Sequence, residues 1–284
     1  MLKPDIFLYT ECPAIKAKSP RAGRRRFYDD GCAMTDQQAK TPEILAHRGY
    51  AARFPENTRE ALRAAVQGGA RLLEFDIQLS RDGIPHLLHD EDFARTGNSP
   101  SRIFDLSASE IAKLSVNEPA RFDNAFEGIR APRLEQVAQD LSGWPEVTAF
   151  VELKRHSLEH FGVPDVVEAV LADLRPVLNQ CVFISFELPA IETVRQRVDR
   201  PVGWALRSWD DSSKQHAEEV APEYLFCNVK RLPREPEPLW AGPWAWVVYE
   251  ITDAAEALEL RDRGVGVIET MAFVELHQAL GGVA

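Results

Sequence analysis

Short apolar runs punctuate the chain from residue 44 onward, at 44–46, 72–79, 84–88, 147–153, 181–185, 202–206, 224–227, 245–251 and 265–269. Most are followed by a stretch whose apolar positions recur at three- and four-residue spacing. These predict helices over about 57–67, from 132 to about 141, then 164–175, 188–198, near 212–220, 253–263 and near 272–280. Near-continuous apolar strands alternating with amphipathic helices mean parallel strands joined by crossover helices. One connection breaks the rule. Asp82-Gly83 is a hairpin signal, and the gap between 79 and 84 is too short for a parallel crossover, which takes a dozen or more residues. Of the nine strand candidates, one therefore lies outside the regular winding, and eight remain for an α/β fold of the TIM-type (α/β)8 barrel. Residues 92–131 lack a clear period and read as a small insertion after the strand that ends in His89-Asp90, with Ser107 or Ser109 capping a short helix.

The polar residues delivered by these runs carry the chemistry. Ile44-Leu45-Ala46 leads to His47-Arg48-Gly49, and the strand over 72–79 puts Glu74, Asp76 and Gln78 on one face against Leu73, Phe75, Ile77 and Leu79 on the other. Pro55-Glu56-Asn57-Thr58 punctuates the first helix, with Asn57 or Thr58 as N-cap, and Gly68-Gly69 ends it. The run over 147–153 delivers Glu152 and Lys154, two residues apart and so on one face. Taken singly, a strand carboxylate is as well explained by an ion pair, and a lone histidine by a satisfied core or surface position. The whole set is what metal-assisted phosphoryl transfer requires: a divalent ion, an acid and a base near neutral pH, and cations for the phosphate. Three carboxylates make an oxygen-rich donor set, which suits Mg²⁺ or Ca²⁺ rather than zinc.

Composition narrows the setting. At 284 residues, 45% hydrophobic and 27% charged, the chain has the make-up of an ordinary globular protein. A net charge of −11 argues against nonspecific binding of nucleic acid or an anionic membrane. No apolar run approaches the roughly 18 to 20 residues of a membrane-spanning helix. Cys12, Cys32, Cys181 and Cys227 show neither metal spacing nor a disulfide framework, which fits a reducing cytoplasm. Residues 1–33 hold seven Lys/Arg against four Asp/Glu and have no hydrophobic period. Residues 1–40 are thus expected to be a disordered extension ahead of a barrel domain over 41–284, with Met34 as the natural start.

His47-Arg48-Gly49, Pro55-Glu56-Asn57-Thr58, Glu74-Phe75-Asp76, Asp82-Gly83-Ile84-Pro85, His89-Asp90 and Glu152-Leu153-Lys154, in this order and at these spacings, resemble the motif series of the glycerophosphodiester phosphodiesterase family. Ser185-Phe186 and Val202-Gly203-Trp204 match further strand ends of that family. The resemblance implies a barrel that splits a glycerophosphodiester into sn-glycerol 3-phosphate and an alcohol. Glu74, Asp76 and Glu152 would hold one Mg²⁺ or Ca²⁺, His47 and His89 would act as acid and base in an order left open, and Arg48 and Lys154 would neutralise the phosphate. It further implies attack by the substrate's own glycerol hydroxyl through a cyclic phosphate, and an insertion that shapes the entrance. The match loosens toward the end. Tyr249-Glu250-Ile251-Thr252-Asp253 stands where the family often has Trp-Thr-Val-Asn-Asp, and residues 264–271 replace Gly-Val-Asp-Gly-Ile-Ile-Thr-Asp, with Arg133 in place of a threonine as a smaller departure. Tyr249 is a candidate wall of the substrate pocket. Two other readings remain: a lysophospholipase D-type phosphodiesterase, and a noncatalytic barrel that binds a phosphodiester or a metal.

Overall fold

The computed structural model describes residues 41–282, so the expected extension over 1–40, with Cys12, Cys32 and Met34, lies outside the described residues. The strands are β1 (Glu43–Ala46), β2 (Leu72–Leu79), β3 (Pro85–Leu87), β4 (Asp92–Phe93), β5 (Ser99–Arg102), β6 (Thr148–Leu153), β7 (Cys181–Ser185), β8 (Val202–Ala205), β9 (Tyr224–Asn228), β10 (Ala245–Tyr249) and β11 (Val265–Thr270). Eight of them pair in parallel in the order β1-β11-β10-β9-β8-β7-β6-β2, and β1 pairs back onto β2, which closes the barrel. β3 pairs antiparallel to β2 outside this winding, with Gln78 opposite His86, as the short Asp82-Gly83 turn requires. Gly83 sits at φ +75 there.

The helices are α1 (Arg59–Gln67), α2 (Ala94–Gly97), α3 (Ala108–Ile111), α4 (Pro119–Phe122), α5 (Leu134–Ser142), α6 (Arg155–Phe161), α7 (Val163–Leu174), α8 (Leu188–Arg197), α9 (Asp211–Val220), α10 (Ala254–Asp262) and α11 (Phe273–Ala279). The helices predicted from hydrophobic spacing are present, with ends within a few residues of those expected. α6 was not among them. It begins directly after Lys154 and buries only Ser157 and Leu158, so it carries no apolar stripe to read. Thr58, not Asn57, caps α1: its hydroxyl accepts from Ala61 N. Between β3 and α5 the chain forms the β4–β5 ribbon and α2 to α4 around a small core that includes Leu88, Phe93, Ile103, Phe104, Ile111 and Val116. Ser107 and Glu110 close α3 with a reciprocal capping box.

Alternation along the strands sorts the side chains into two environments. Leu73, Phe75 and Ile77 of β2 point outward into the main core, where Leu62 and Ala65 of α1 also pack. Leu45, Phe150, Val182, Phe226, Val247 and Val267 point inward and form an apolar plug in the barrel, with Gly203 leaving room for Ile184 and Phe226. Two residues further along the same strands the inward positions turn polar: Glu152 after Phe150, Tyr249 after Val247 and Glu269 after Val267. The polar layer therefore stands on the plug at the C-terminal ends of the strands, where barrel active sites lie.

The β1–α1 loop lies tightly on α1. Tyr50 N donates to Ala61 O at 2.9 Å, and Gly49 at φ +80 has no space for a Cβ, which would stand 2.6 Å from Ala61 C. Gly49→Ala is expected to cost at least about 2 kcal/mol, from the left-handed backbone and the overlap together, read as a lower urea midpoint. α1 is also tied to α5, because Asp140 accepts from Arg59 Nε and Nη2 and from Arg63 Nη2 at 2.6 to 2.8 Å. Burial raises the Asp140 pKa, but the two arginines outweigh it and hold the carboxyl below its ordinary value. A depressed carboxyl stabilises the fold above the unfolded pKa of about 3.9 and loses that contribution as pH falls through and below it. Asp140→Asn should therefore cost about 1 kcal/mol at pH 7, discounted for partial exposure, and its gap from the parent should close below about pH 4.

Candidate active site

Asp76, on β2, is fully buried and sits at the centre of the polar layer. Its Oδ2 accepts from Asn57 Nδ2 at 2.8 Å and lies 3.2 Å from Arg48 Nε, while its Oδ1 lies 3.2 Å from Lys154 Nζ. Its backbone N–H donates to Asn57 Oδ1 at 3.1 Å, so one asparagine side chain grips both the main chain and the carboxylate. Asn57 reaches this position at φ +55, and Arg48 stands at φ +56. Arg48 Nη1 donates to Glu56 Oε1 at 2.8 Å, and its backbone N–H to Glu74 Oε2 at 3.0 Å. The β2–β6 register places Asp76 opposite Glu152, whose Oε1 lies 2.7 Å from Lys154 Nζ.

Charge governs the protonation of this cluster. Burial pushes the Asp76 carboxyl up, but Lys154 and Arg48 overcome it and hold Asp76 well below the carboxylate range. Glu74 is pushed well above that range by burial and by the like charges of Asp76, Glu269 and Glu152. Burial also raises Glu152, against the opposing pull of Lys154. Lys154 is opposed by burial, yet Asp76 and Glu152 raise it above the ordinary lysine value. Glu74, Asp76 and Glu152 each offer a ligand atom within 4.8 Å of the other two. Glu74 Oε1 is buried with no partner, while Asp76 Oδ1 and Glu152 Oε1, equally buried, share the single ammonium of Lys154. Three desolvated carboxylates converging on one point, with one ammonium between them, fit a divalent cation, which recovers the solvation they have lost.

The two histidines flank this point in different ways. His47 Nε2 is 3.8 Å from Glu74 Oε2, and burial together with the Arg48 charge lowers its pKa well below the ordinary value, so the imidazole is neutral at pH 7. His89 Nδ1 is 2.6 Å from Asp90 Oδ1, and Gln78 Nε2 steadies its loop by donating to the carbonyls of His89 and Asp90. Asp90 in turn accepts from Arg95, whose other nitrogens take both oxygens of Glu56. Glu56 N donates to Glu118 Oε1 at 2.6 Å, which locks the loop before α1 onto the segment over 88–133. His89, Glu152, Lys154, Phe186 and Arg207 are among the walls of an open cleft of about 310 Å³.

His47, Arg48, Glu74, Asp76, Glu152 and Lys154 are thus brought together, and His89 lines the same cleft as Glu152 and Lys154. Tyr249 is half-buried at the end of β10; its hydroxyl accepts from Arg231 Nη1 at 3.2 Å, and burial pushes its pKa up to about 12. Sequence reasoning left out Glu56, Asn57, Asp90 and Arg95 as site residues, although the first three lie inside quoted motifs. It also left out Glu269, buried beside His47 and Glu74. The two-residue rule that picks Lys154 after Glu152 also picks Glu269 after Val267, but residues 264–271 depart from the family's motif, and the sequence assigns this strand no site residue.

The model of the glycerophosphoryl diester phosphodiesterase family matches residues 47–237. Glycerophosphodiester phosphodiesterase 1 of Homo sapiens is 33% identical over 183 residues, which is 63% of this chain and 53% of that protein. The glycerophosphodiester phosphodiesterase of Caldanaerobacter subterraneus is 34% identical over 122 residues, 43% of this chain and 49% of the relative. The chain thus spans about half the length of the curated relatives it matches. Among solved structures, an Oleispira antarctica phosphodiesterase in complex with sn-glycerol-3-phosphate superposes with a TM-score of 0.74 at 20% identity, covering 86% of this chain and 98% of the other. With its motifs assembled at the mouth of a closed barrel and its family match extending over most of the described residues, the chain belongs to the glycerophosphoryl diester phosphodiesterase family.

Proposed function

We propose that this protein hydrolyses glycerophosphodiesters to sn-glycerol 3-phosphate and an alcohol, with one Mg²⁺ or Ca²⁺ held by Glu74, Asp76 and Glu152. The observation that carries this reading is the convergence of the buried Glu74, Asp76 and Glu152 carboxylates within 4.8 Å of one another, with His47 beside Glu74 and His89 in the wall of the same cleft as Glu152. When bound, a divalent ion supplies electrostatic stabilisation of charge on the phosphoryl oxygens. His47, kept neutral by burial and by Arg48, is the base that takes the proton from the attacking hydroxyl, first the substrate's own glycerol hydroxyl and then the water that opens the cyclic phosphate. His89 donates Nδ1–H to Asp90, which fixes the ring and leaves Nε2 to carry the proton to the leaving alkoxide. Lys154 lines the cleft and supplies positive charge to the phosphate. Arg48 acts on the same phosphate mainly through its field, since Glu56 and Asp76 already engage its guanidinium. Tyr249 forms part of the wall for the substrate's alcohol.

A cytoplasmic location is part of this proposal, supported by the free and buried Cys181 and Cys227. Among the described residues no helix is long and apolar enough to cross a membrane. A lysophospholipase D-type activity is the second reading. It is supported by the half-buried aromatic group Tyr50, Phe54, Phe122 and Phe126, with successive rings 5.1 to 6.1 Å apart.

Purified protein should release glycerol 3-phosphate from glycerophosphocholine, stop on chelation and resume when Mg²⁺ or Ca²⁺ is returned. Cleavage of lysophosphatidylcholine but not glycerophosphocholine would move the assignment to the second reading, and metal binding without turnover of either would reduce the protein to a binding role. His47→Ala and His89→Ala should each lower kcat by about 10²- to 10⁴-fold in steady-state assays. Near-normal turnover in either variant would remove that residue from the acid–base pair.

A further inference from the structure

Glu269 is 3% exposed, yet no hydrogen bond or ion pair reaches its carboxylate among the described residues. It lies opposite Leu45 of β1 and Tyr249 of β10 in the strand register. The cations nearest this layer are already engaged, Arg48 by Glu56 and Asp76 and Lys154 by Asp76 and Glu152. A buried carboxyl with no partner is held neutral by a proton, and ionises only if a cation joins it. Its neighbours show what could be held there: ligand atoms of His47, Glu74 and Glu269 all lie within 4.8 Å of one another. Glu74 is itself 1% exposed and keeps an Oε1 with no hydrogen-bond donor.

We propose that His47, Glu74 and Glu269 form a second cation site, which shares the Glu74 carboxylate with the Glu74–Asp76–Glu152 triad. The donor set decides the class of ion. An imidazole nitrogen with two carboxylates suits Mn²⁺ or Zn²⁺, whereas the all-oxygen triad suits Mg²⁺ or Ca²⁺. Charge balance decides the order of filling. The cluster holds more carboxylates than cations, and the first divalent ion takes up the charge of the shared Glu74 carboxylate, so the second ion binds more weakly. A carboxylate shared by two ions typically holds them about 3.5 to 4 Å apart, close enough for magnetic coupling. An ion in the second site occupies the imidazole lone pair, so His47 no longer accepts a proton. This consequence, inhibition by excess transition metal, rests on the role given to His47 under Proposed function; the site itself does not.

The test is Mn²⁺ binding to the full chain by equilibrium dialysis and electron paramagnetic resonance, without substrate. Two ions per chain are expected, the second at least tenfold weaker and spin-coupled to the first. Glu269→Gln, with its fold checked by circular dichroism, should bind one ion and show no coupled signal. Saturation of the parent protein at one ion, two ions without coupling, or a folded Glu269→Gln variant that binds both ions with parental affinity would each overturn the proposal. Should the variant fail to fold, the stoichiometry and coupling in the parent protein still decide. In turnover assays, added Zn²⁺ should inhibit the Mg²⁺-loaded parent over the range in which the second site fills. A protein that binds two coupled ions but hydrolyses no glycerophosphodiester would sink the functional assignment and leave the second site standing.

Discussion

The ionised carboxylate of Asp76 is the constraint to which the rest of the site answers. It is fully buried, so it stays charged only because Arg48, Lys154 and Asn57 surround it. Each partner creates a further demand. Arg48 is aimed by Glu56, Glu56 is neutralised by Arg95, and Arg95 is completed by Asp90, which orients His89. A chain of alternating charges therefore runs from the barrel floor to the loop after β3. Removing one member would leave its neighbour buried and uncompensated, which costs more than the pair itself contributes.

The barrel makes such a cluster possible by separating two solvents. Leu45, Phe150, Val182, Phe226, Val247 and Val267 fill the lower interior, so nothing polar is needed there. One step up the same strands, Glu74 and Asp76 of β2 and Glu152 of β6 bring three carboxylates together, and Glu269 of β11 comes equally close to Glu74 and His47. Strands hold these groups with little freedom, while His89 and Arg207 stand on loops around the cleft.

The loops are rigid where the cluster depends on them. Arg48, Gly49 and Asn57 all take left-handed backbone conformations in the connection between β1 and α1, and hydrogen bonds to Ala61 and Glu118 over-determine that shape. The segment over 88–133 has its own apolar core and reaches back through Glu118 to hold Glu56. It is thus tied to the charge network as well as bordering the cleft, a role its irregular sequence did not reveal.

By itself the sequence determined the winding and most of the site. Period-two alternation put Glu74 and Asp76 on one face and Glu152 and Lys154 on another, the brevity of the Asp82-Gly83 turn excluded β3 from the barrel, and the spacing of the motifs named the family. These are local or pairwise properties that a linear pattern carries. Tertiary structure alone decided which neighbour each charge meets. Glu269 stands nearly two hundred residues from Glu74 and lies beside it only because β11 and β2 both flank β1 in the closed barrel. Asp90 reads only as the end of a motif and Arg95 as part of an irregular insertion until folding sets them between His89 and Glu56. The unlike states of Glu74 and Asp76, neighbours on the same face of β2, follow from burial and from which cation came to lie against each.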